Sequence, residues 1–271
     1  MMENFQYYAP TKVVFGKGTE NKAGQLVKEQ NCRKVLIHYG SGSVKRSGLL
    51  DREGISYISL GGVVPNPRLS LVYEGIDLCR REGVDFILAV GGGSVIDSAK
   101  AIGYGVENEG DVWDFYERKR QACGCLPIGV VLTIAAAGSE MSDSSVITNE
   151  NGWLKRGYNS SYCRPKFAVM NPKYQTASGC VDIMMHTMER YFNHCDNMEL
   201  TDGISEHLLR TVMKNAKILM DEPQCYKARA EVMWAGSLSH NGLMACGNDG
   251  GDWACHQLEH ELGGMFDVAH G

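Results

Sequence analysis

No stretch of this 271-residue chain approaches the roughly 18 consecutive apolar residues that a membrane-spanning helix needs, so no membrane partner is expected. The opening segment, Met1 to Pro10, lacks a positive patch followed by an apolar run. It does not read as a secretory leader, and the expected setting is cytoplasmic, with reduced thiols. A surplus of positive charge is missing as well: 27 Lys and Arg stand against 32 Asp and Glu, for a net charge of −5. With no basic run interleaved with aromatics, a nucleic-acid partner is not expected. Repeats and low-complexity tracts are absent. The ten cysteines are dispersed, and Cys123-Gly124-Cys125 is too tight for a zinc knuckle and has no second pair.

What the chain does contain is an alternation. An apolar fraction of 44% and a charged fraction of 22% are those of a globular protein. Short, nearly continuous apolar runs at 34–39, 55–60, 85–90 and 127–133 have the length and composition of buried parallel strands. A further strand or hairpin arm is expected over 7–15, and helical patterns cover 19–30, 69–82 and 95–103. Strand and helix in short alternation mean a parallel sheet covered on both faces. From 174 to 262 the pattern turns helical and rich in Met, Leu and Ala. The expected organisation is an α/β nucleotide-binding domain over 1–172, followed by an all-α domain over 173–271.

Two glycine loops follow predicted strands. Gly91-Gly92-Gly93-Ser94-Val95-Ile96-Asp97 sets unhindered backbone N–H groups at a helix N-terminus, where the helix dipole favours a phosphate. The Gly-x-Gly-x-x-Gly fingerprint is absent, so this is not the ordinary Rossmann form, and a tight strand–helix turn would also satisfy the pattern. Gly40-Ser41-Gly42-Ser43 lies where a nucleotide ribose could sit. The acid that commonly holds an NAD ribose is missing there, and Ser41, Ser43, Lys45 and Arg46 stand instead. That set suits a 2′-phosphate, so NADP(H) is expected over NAD(H), unless Lys45 and Arg46 merely begin a solvated helix face.

Three of the eight histidines, His256, His260 and His270, fall within fifteen residues. His256 and His260 are one helical turn apart on one face, and Gly263-Gly264 reads as a break that lets the chain fold back with His270. A second pair, Asp182 and His186, is also spaced i, i+4, on a helix made apolar by Met184, Met185 and Met188. A carboxylate in such surroundings needs a cation. Imidazoles and a carboxylate suit Fe²⁺ or Zn²⁺ and do not separate them. A competing grouping exists: His256-Gln257-Leu258-Glu259-His260 matches the His-x-x-Glu-His pattern of inverzincin peptidases, with Glu259 as general base. It accounts for neither the nucleotide-like first domain nor Asp182 and His186.

Taken together, Tyr8-Ala9-Pro10-Thr11-Lys12-Val13-Val14-Phe15-Gly16, Gly91-Gly92-Gly93-Ser94-Val95-Ile96-Asp97-Ser98-Ala99-Lys100 and the stretch ending at His270-Gly271 resemble the iron-containing (group III) alcohol dehydrogenases. The similarity is greatest to their NADPH-dependent butanol dehydrogenase and aldehyde reductase branch. The resemblance implies the dehydroquinate synthase-like architecture, one divalent metal, a nicotinamide cofactor and a homodimer. It implies a metal held by Asp182, His186, His256 and His270, with His260 beside the substrate channel. It also implies cofactor contacts at Gly92, Gly93, Ser94, Asp97, Thr133 and Lys155, with Gly40, Ser41, Gly42 and Ser43 at the adenosine-phosphate end. The implied chemistry is hydride transfer between a nicotinamide and a short- to medium-chain aldehyde or primary alcohol such as butanal or butanol. Members of that family continue in helix past the His270-Gly271 position, and the joins at 49–54 and 171–175 are shorter than theirs. An incomplete second domain is therefore expected, and a truncated nucleotide-binding remnant without catalysis is the alternative.

Overall fold

Among the described residues, six strands line up in one parallel sheet. The strands in chain order are β1 (Lys12–Phe15), β2 (Val35–Tyr39), β3 (Tyr57–Leu60), β4 (Phe86–Gly91), β5 (Ile128–Leu132), a hairpin of β6 (Ser144–Asn149) and β7 (Leu154–Asn159), and β8 (Phe167–Met170). Their order across the sheet is β1-β8-β5-β4-β2-β3, with β6 and β7 forming a separate antiparallel pair. The computed structural model describes residues 1–40, 54–170, 177–251, 253–268 and 270.

β4 and β5 are buried at every position, as strands covered on both faces must be. Alternate residues feed two cores. Leu36, Ile87, Ala89, Val130 and Leu132 face helices α2 (Leu69–Glu82) and α3 (Gly93–Glu107). Phe86, Leu88, Val90 and Val131 face the other way, with Ala23, Leu26 and Val27 of α1 (Ala23–Lys28). The expected parallel sheet with two covered faces is present. The helix expected over 19–30 is split into a 3₁₀ turn (Thr19–Lys22) and the short α1, and the strand expected over 7–15 is ordered as β only from Lys12. A one-turn helix α4 (Trp113–Tyr116) packs its Phe115 and Tyr116 rings against Tyr158 of β7.

The second half is helical: α5 (Ala177–Tyr191), α6 (Glu199–Asp221), α7 (Tyr226–His240) and α8 (Ala254–Phe266). Cys180, Ile183, Leu208, Val212, Val232, Ala235 and Met244 form its own core. α7 also reaches the sheet's core through Met233. The expected boundary at 172, and most of the two short joins, fall outside the described residues. Among those described, no helix is long and apolar enough to cross a membrane.

Candidate active site

The spacing of α5 places Asp182, His186 and Glu189 at i, i+4 and i+7, on one face of the helix, and all three are buried. Asp182 Oδ1 lies 3.0 Å from His186 Nδ1. His256, two residues into α8, brings its Nε2 to 3.5 Å from the same oxygen, and His270 brings its own Nε2 to 3.3 Å. Ligand atoms of Asp182, His186 and His256 all lie within 4.8 Å of one another. The second oxygen of that carboxylate, Oδ2, is buried with no hydrogen-bond partner among the described residues.

Electrostatics follow from this crowding. Burial pushes the Asp182 carboxyl up, but the His186 charge and hydrogen bonds from His186, His256 and His270 hold it well below the usual carboxylate range. Burial pulls His270 down, yet its hydrogen bonds to Asp182 and Glu259 raise it to about 9. His256 is likewise raised against its burial, by Asp182 and Glu189. His240 at the end of α7 stacks edge-on to His186, ring centroids 4.2 Å apart; burial first, then His186 and Arg190, keep it well below the ordinary histidine value. Arg190 holds the α5 end by donating to the His186 carbonyl at 2.6 Å, with its guanidinium 4.3 Å over the Trp253 ring.

Each of the two α8-region imidazoles that face Asp182 has a carboxylate behind it. His256 Nδ1 meets Glu189 Oε2, and its backbone N–H donates to Glu189 Oε1 at 3.1 Å. That second bond satisfies one of the unpaired N–H groups at the α8 N-terminus with an acid, as the helix dipole favours. His270 Nδ1 meets Glu259 Oε2. A carboxylate on the far nitrogen fixes the ring and turns Nε2 toward Asp182.

The expected break at Gly263-Gly264 is corrected by the structure: α8 runs straight through both glycines to Phe266. They serve close packing instead. A Cβ at 264 would stand 2.3 Å from the Trp153 carbonyl oxygen, and one at 263 would stand 2.9 Å from Lys155 Nζ. The reversal comes later, at Asp267, whose φ of 52° is left-handed. Arg68 Nη2 at 2.8 Å and Asn66 Nδ2 at 2.9 Å hold its carboxylate, and the turn returns His270 to Asp182.

A single cleft of about 1910 Å³ is lined by Gly92, Gly93, Ser94 and Asp97 as well as by Asp182, His186, His256 and His270. Gly92 caps α3; Cβ atoms added at 92 and 93 would take up room against Ile134 and Ala137, each at 3.5 Å. Asp97 is wholly engaged in bracing: Ser139 Oγ donates to Oδ1 and the Val146 N–H to Oδ2 at 3.0 Å. Thr133 is exposed just past β5, its N–H donating to the Gly91 carbonyl at 3.0 Å, while its neighbour Ile134 lines the cleft. Lys155 lines the cleft too, buried, donating to both oxygens of Glu259 at 2.9 Å. Gly40 directly follows β2 and accepts the Gly62 N–H at 3.0 Å; Ser41, Gly42, Ser43, Lys45 and Arg46 lie outside the described residues. His260 also lines the cleft, its ring 6.0 Å from that of His270; burial and the Lys155 charge pull it down to about 3.

Residues 10–172 match the family model described as iron-containing alcohol dehydrogenase, and residues 176–271 match the C-terminal model of the same family. The chain belongs to the iron-containing alcohol dehydrogenase family. It is 44% identical to NADH-dependent butanol dehydrogenase A of Clostridium acetobutylicum, over all of this chain and 72% of that protein. It is 36% identical to the NADPH-dependent aldehyde reductase YqhD of Escherichia coli, over 99% of this chain and 73% of that one. Its fold superposes on the crystal structure of NADH-dependent butanol dehydrogenase A from Thermotoga maritima with a TM-score of 0.95 at 43% identity, covering 99% of this chain and 71% of the other. As an iron-containing alcohol dehydrogenase, the chain is an oxidoreductase that acts on alcohols, built as an α/β half followed by a helical half.

The iron that the family's name implies fits the residues present. Asp182 Oδ2 is a buried anionic atom without a donor among the described residues, and the surrounding nitrogens are of the type that binds Fe²⁺ or Zn²⁺. The peptidase grouping has no free base: both oxygens of Glu259 are occupied by Lys155, and one also by His270. Three residues of this site stand outside the set expected from sequence: Glu189, His240, and Glu259 as the partner of His270. Glu189 was within reach, because it continues the Asp182–His186 stripe by one more turn.

Proposed function

We propose that this member of the family is a metal-dependent alcohol dehydrogenase and aldehyde reductase that uses NADP(H) on short- to medium-chain aldehydes and primary alcohols such as butanal and butanol. In this reading residues 1–172 seat the nucleotide and 173–271 the metal. One observation carries it: nitrogens of His186, His256 and His270 surround a single Asp182 oxygen, in the same cleft that the glycine-opened end of α3 lines. Names of relatives, butanol dehydrogenase and aldehyde reductase, support the substrate class.

Asp182, His186, His256 and His270 would hold Fe²⁺ or Zn²⁺, with Glu189 and Glu259 fixing two of the rings. When bound, the metal supplies a Lewis acid for the carbonyl oxygen, and the nicotinamide supplies the hydride. The backbone N–H groups of Gly92, Gly93 and Ser94 offer donors to a pyrophosphate at the α3 N-terminus. Asp97, tied to Ser139 and Val146, keeps the neighbouring loop and hairpin in place around the nucleotide. His260 lines the cleft and is pulled down by burial and the Lys155 charge, so it is better suited to orient the alcohol oxygen through a hydrogen bond than to take up its proton. Relatives carry both NADH- and NADPH-dependent names. The choice of NADP(H) rests on Ser41, Ser43, Lys45 and Arg46, and on the missing acid beside them.

The test is oxidation of the reduced nicotinamide by butanal, followed by absorbance, on protein stripped with a chelator and then restored with Fe²⁺ or Zn²⁺. Turnover that appears only with metal, with a lower KM for NADPH than for NADH, is the expected result. Metal-independent turnover, or none at any loading, would overturn the reading; a lower KM for NADH would overturn the cofactor choice alone.

A further inference from the structure

We propose that Glu259 is a positioning residue through which the nucleotide seat and the metal seat sense each other. The inference rests on the function proposed above.

The Lys155 side chain is only 4% exposed, and Glu259 is the acceptor of its ammonium, with both oxygens at 2.9 Å. One of those oxygens, Oε2, also meets His270 Nδ1, and the opposite nitrogen of that ring faces Asp182. A single carboxylate thus accepts from a lysine and makes an ion-pair contact with an imidazole, and the two arrive from unrelated segments, strand β7 and the return after α8. The room for this pairing is built in: a Cβ at Gly263, one turn beyond Glu259, would stand 2.9 Å from Lys155 Nζ and 3.0 Å from Glu259 Oε1.

Glu189 provides the contrast. It backs His256 in the same way, but its other oxygen takes the backbone N–H of His256 and not a lysine. Its hold on the ring is therefore local. Glu259's hold is divided, and whatever draws the Lys155 ammonium away leaves the carboxylate to His270 alone. A phosphate or hydroxyl oxygen of a dinucleotide lying in the cleft has that chemistry. The carboxylate–imidazole bond then strengthens, Nε2 becomes a better ligand, and metal binding tightens. By linkage, metal must tighten the dinucleotide by the same factor.

The experiment measures Co²⁺ affinity of the whole chain by competition with a chromophoric chelator, with and without saturating NADPH. Glu259→Gln and Glu189→Gln each weaken Co²⁺ by roughly 10–100-fold, the usual effect of losing a ligand's outer partner. NADPH tightens Co²⁺ by about 5-fold or more in the wild type and in Glu189→Gln, at the low end of ordinary coupling. In Glu259→Gln and in Lys155→Met that tightening vanishes. A wild type that binds both ligands without linkage overturns the inference while leaving the metal site standing. So does linkage that survives in either Glu259→Gln or Lys155→Met. Should Glu259→Gln not fold, Lys155→Met decides, because it does not touch the ligands. A wild type that takes up no Co²⁺ overturns the metal reading and this inference together.

Discussion

Asp182 is the residue on which the cleft depends, because one of its oxygens faces three imidazole nitrogens at 3.0, 3.5 and 3.3 Å. The histidines nearby divide by what backs them. His256 and His270 each have a carboxylate on the far nitrogen, whereas His260 has none among the described residues and is driven neutral by burial and Lys155. Substitution should separate the two groups. His270→Ala removes one of the proposed ligands, so metal affinity is expected to fall by at least about 100-fold, beyond the usual effect of losing an outer partner. His260→Ala keeps the metal and lowers kcat by about 100-fold, the scale on which a misplaced substrate costs rate. Metal content by atomic absorption beside steady-state rates checks both, and equal metal in wild type and His270→Ala would count against that ligand. The i, i+4 spacing of Asp182 and His186, and the clustering of His256, His260 and His270, made most of the site legible from sequence. The roles of Glu189 and Glu259 were not legible, because a carboxylate behind an imidazole is recognised only once two segments meet in space.

Among the elements, α8 shows where local sequence reasoning misleads. Two adjacent glycines lower helix propensity and suggest an end, yet here they lie inside the helix because only glycine lets α8 sit against the hairpin. The two positions differ in what stands in the way. At Gly264 the obstacle is the Trp153 backbone carbonyl, 2.3 Å from a would-be Cβ, which cannot move without dragging β7. At Gly263 it is the far end of the Lys155 side chain, which can yield. Gly264→Ala should therefore cost about 1–3 kcal/mol, as overpacking does. Gly263→Ala should cost less but disturb the Lys155–Glu259 pair. Urea unfolding of both variants checks this; equal costs would mean that α8 does not rest on the strand's backbone. The strand–helix alternation of the first half was legible because β4 and β5 are continuous apolar runs. The hairpin was not, since β7 carries Lys155, Arg156 and Gly157, and β8 is a four-residue run too short to stand out.

For the molecule as a whole, the sheet holds a titratable group whose burial ties global stability to pH. His38 lies in β2 with no exposure, between edge strand β3 and helix α3. Its Nδ1–H donates to the Leu60 carbonyl at 2.9 Å, so its Nε2, also at 2.9 Å, accepts the Ser98 hydroxyl. Both nitrogens are satisfied by the neutral ring. Burial, only partly offset by the Leu60 carbonyl, lowers its pKa from 6.5 to about 4. The unfolded chain therefore binds the extra proton between those values and the folded chain does not. Stability is complete above about 6.5 and is lost as pH falls from there to about 4, at about 1.4 kcal/mol per pH unit. Between pH 7 and pH 5 the loss through this one residue is about 2 kcal/mol. Other buried groups add their own slopes, so the measurement is a difference. His38→Gln keeps a donor for Leu60 and an acceptor for Ser98 but cannot take up a proton. Urea midpoints for both proteins across pH 5 to 7 should diverge, the wild type losing about 2 kcal/mol more toward the acid side. Parallel pH slopes would show that His38 titrates in the folded sheet much as it does in the unfolded chain, and would place the acid sensitivity elsewhere.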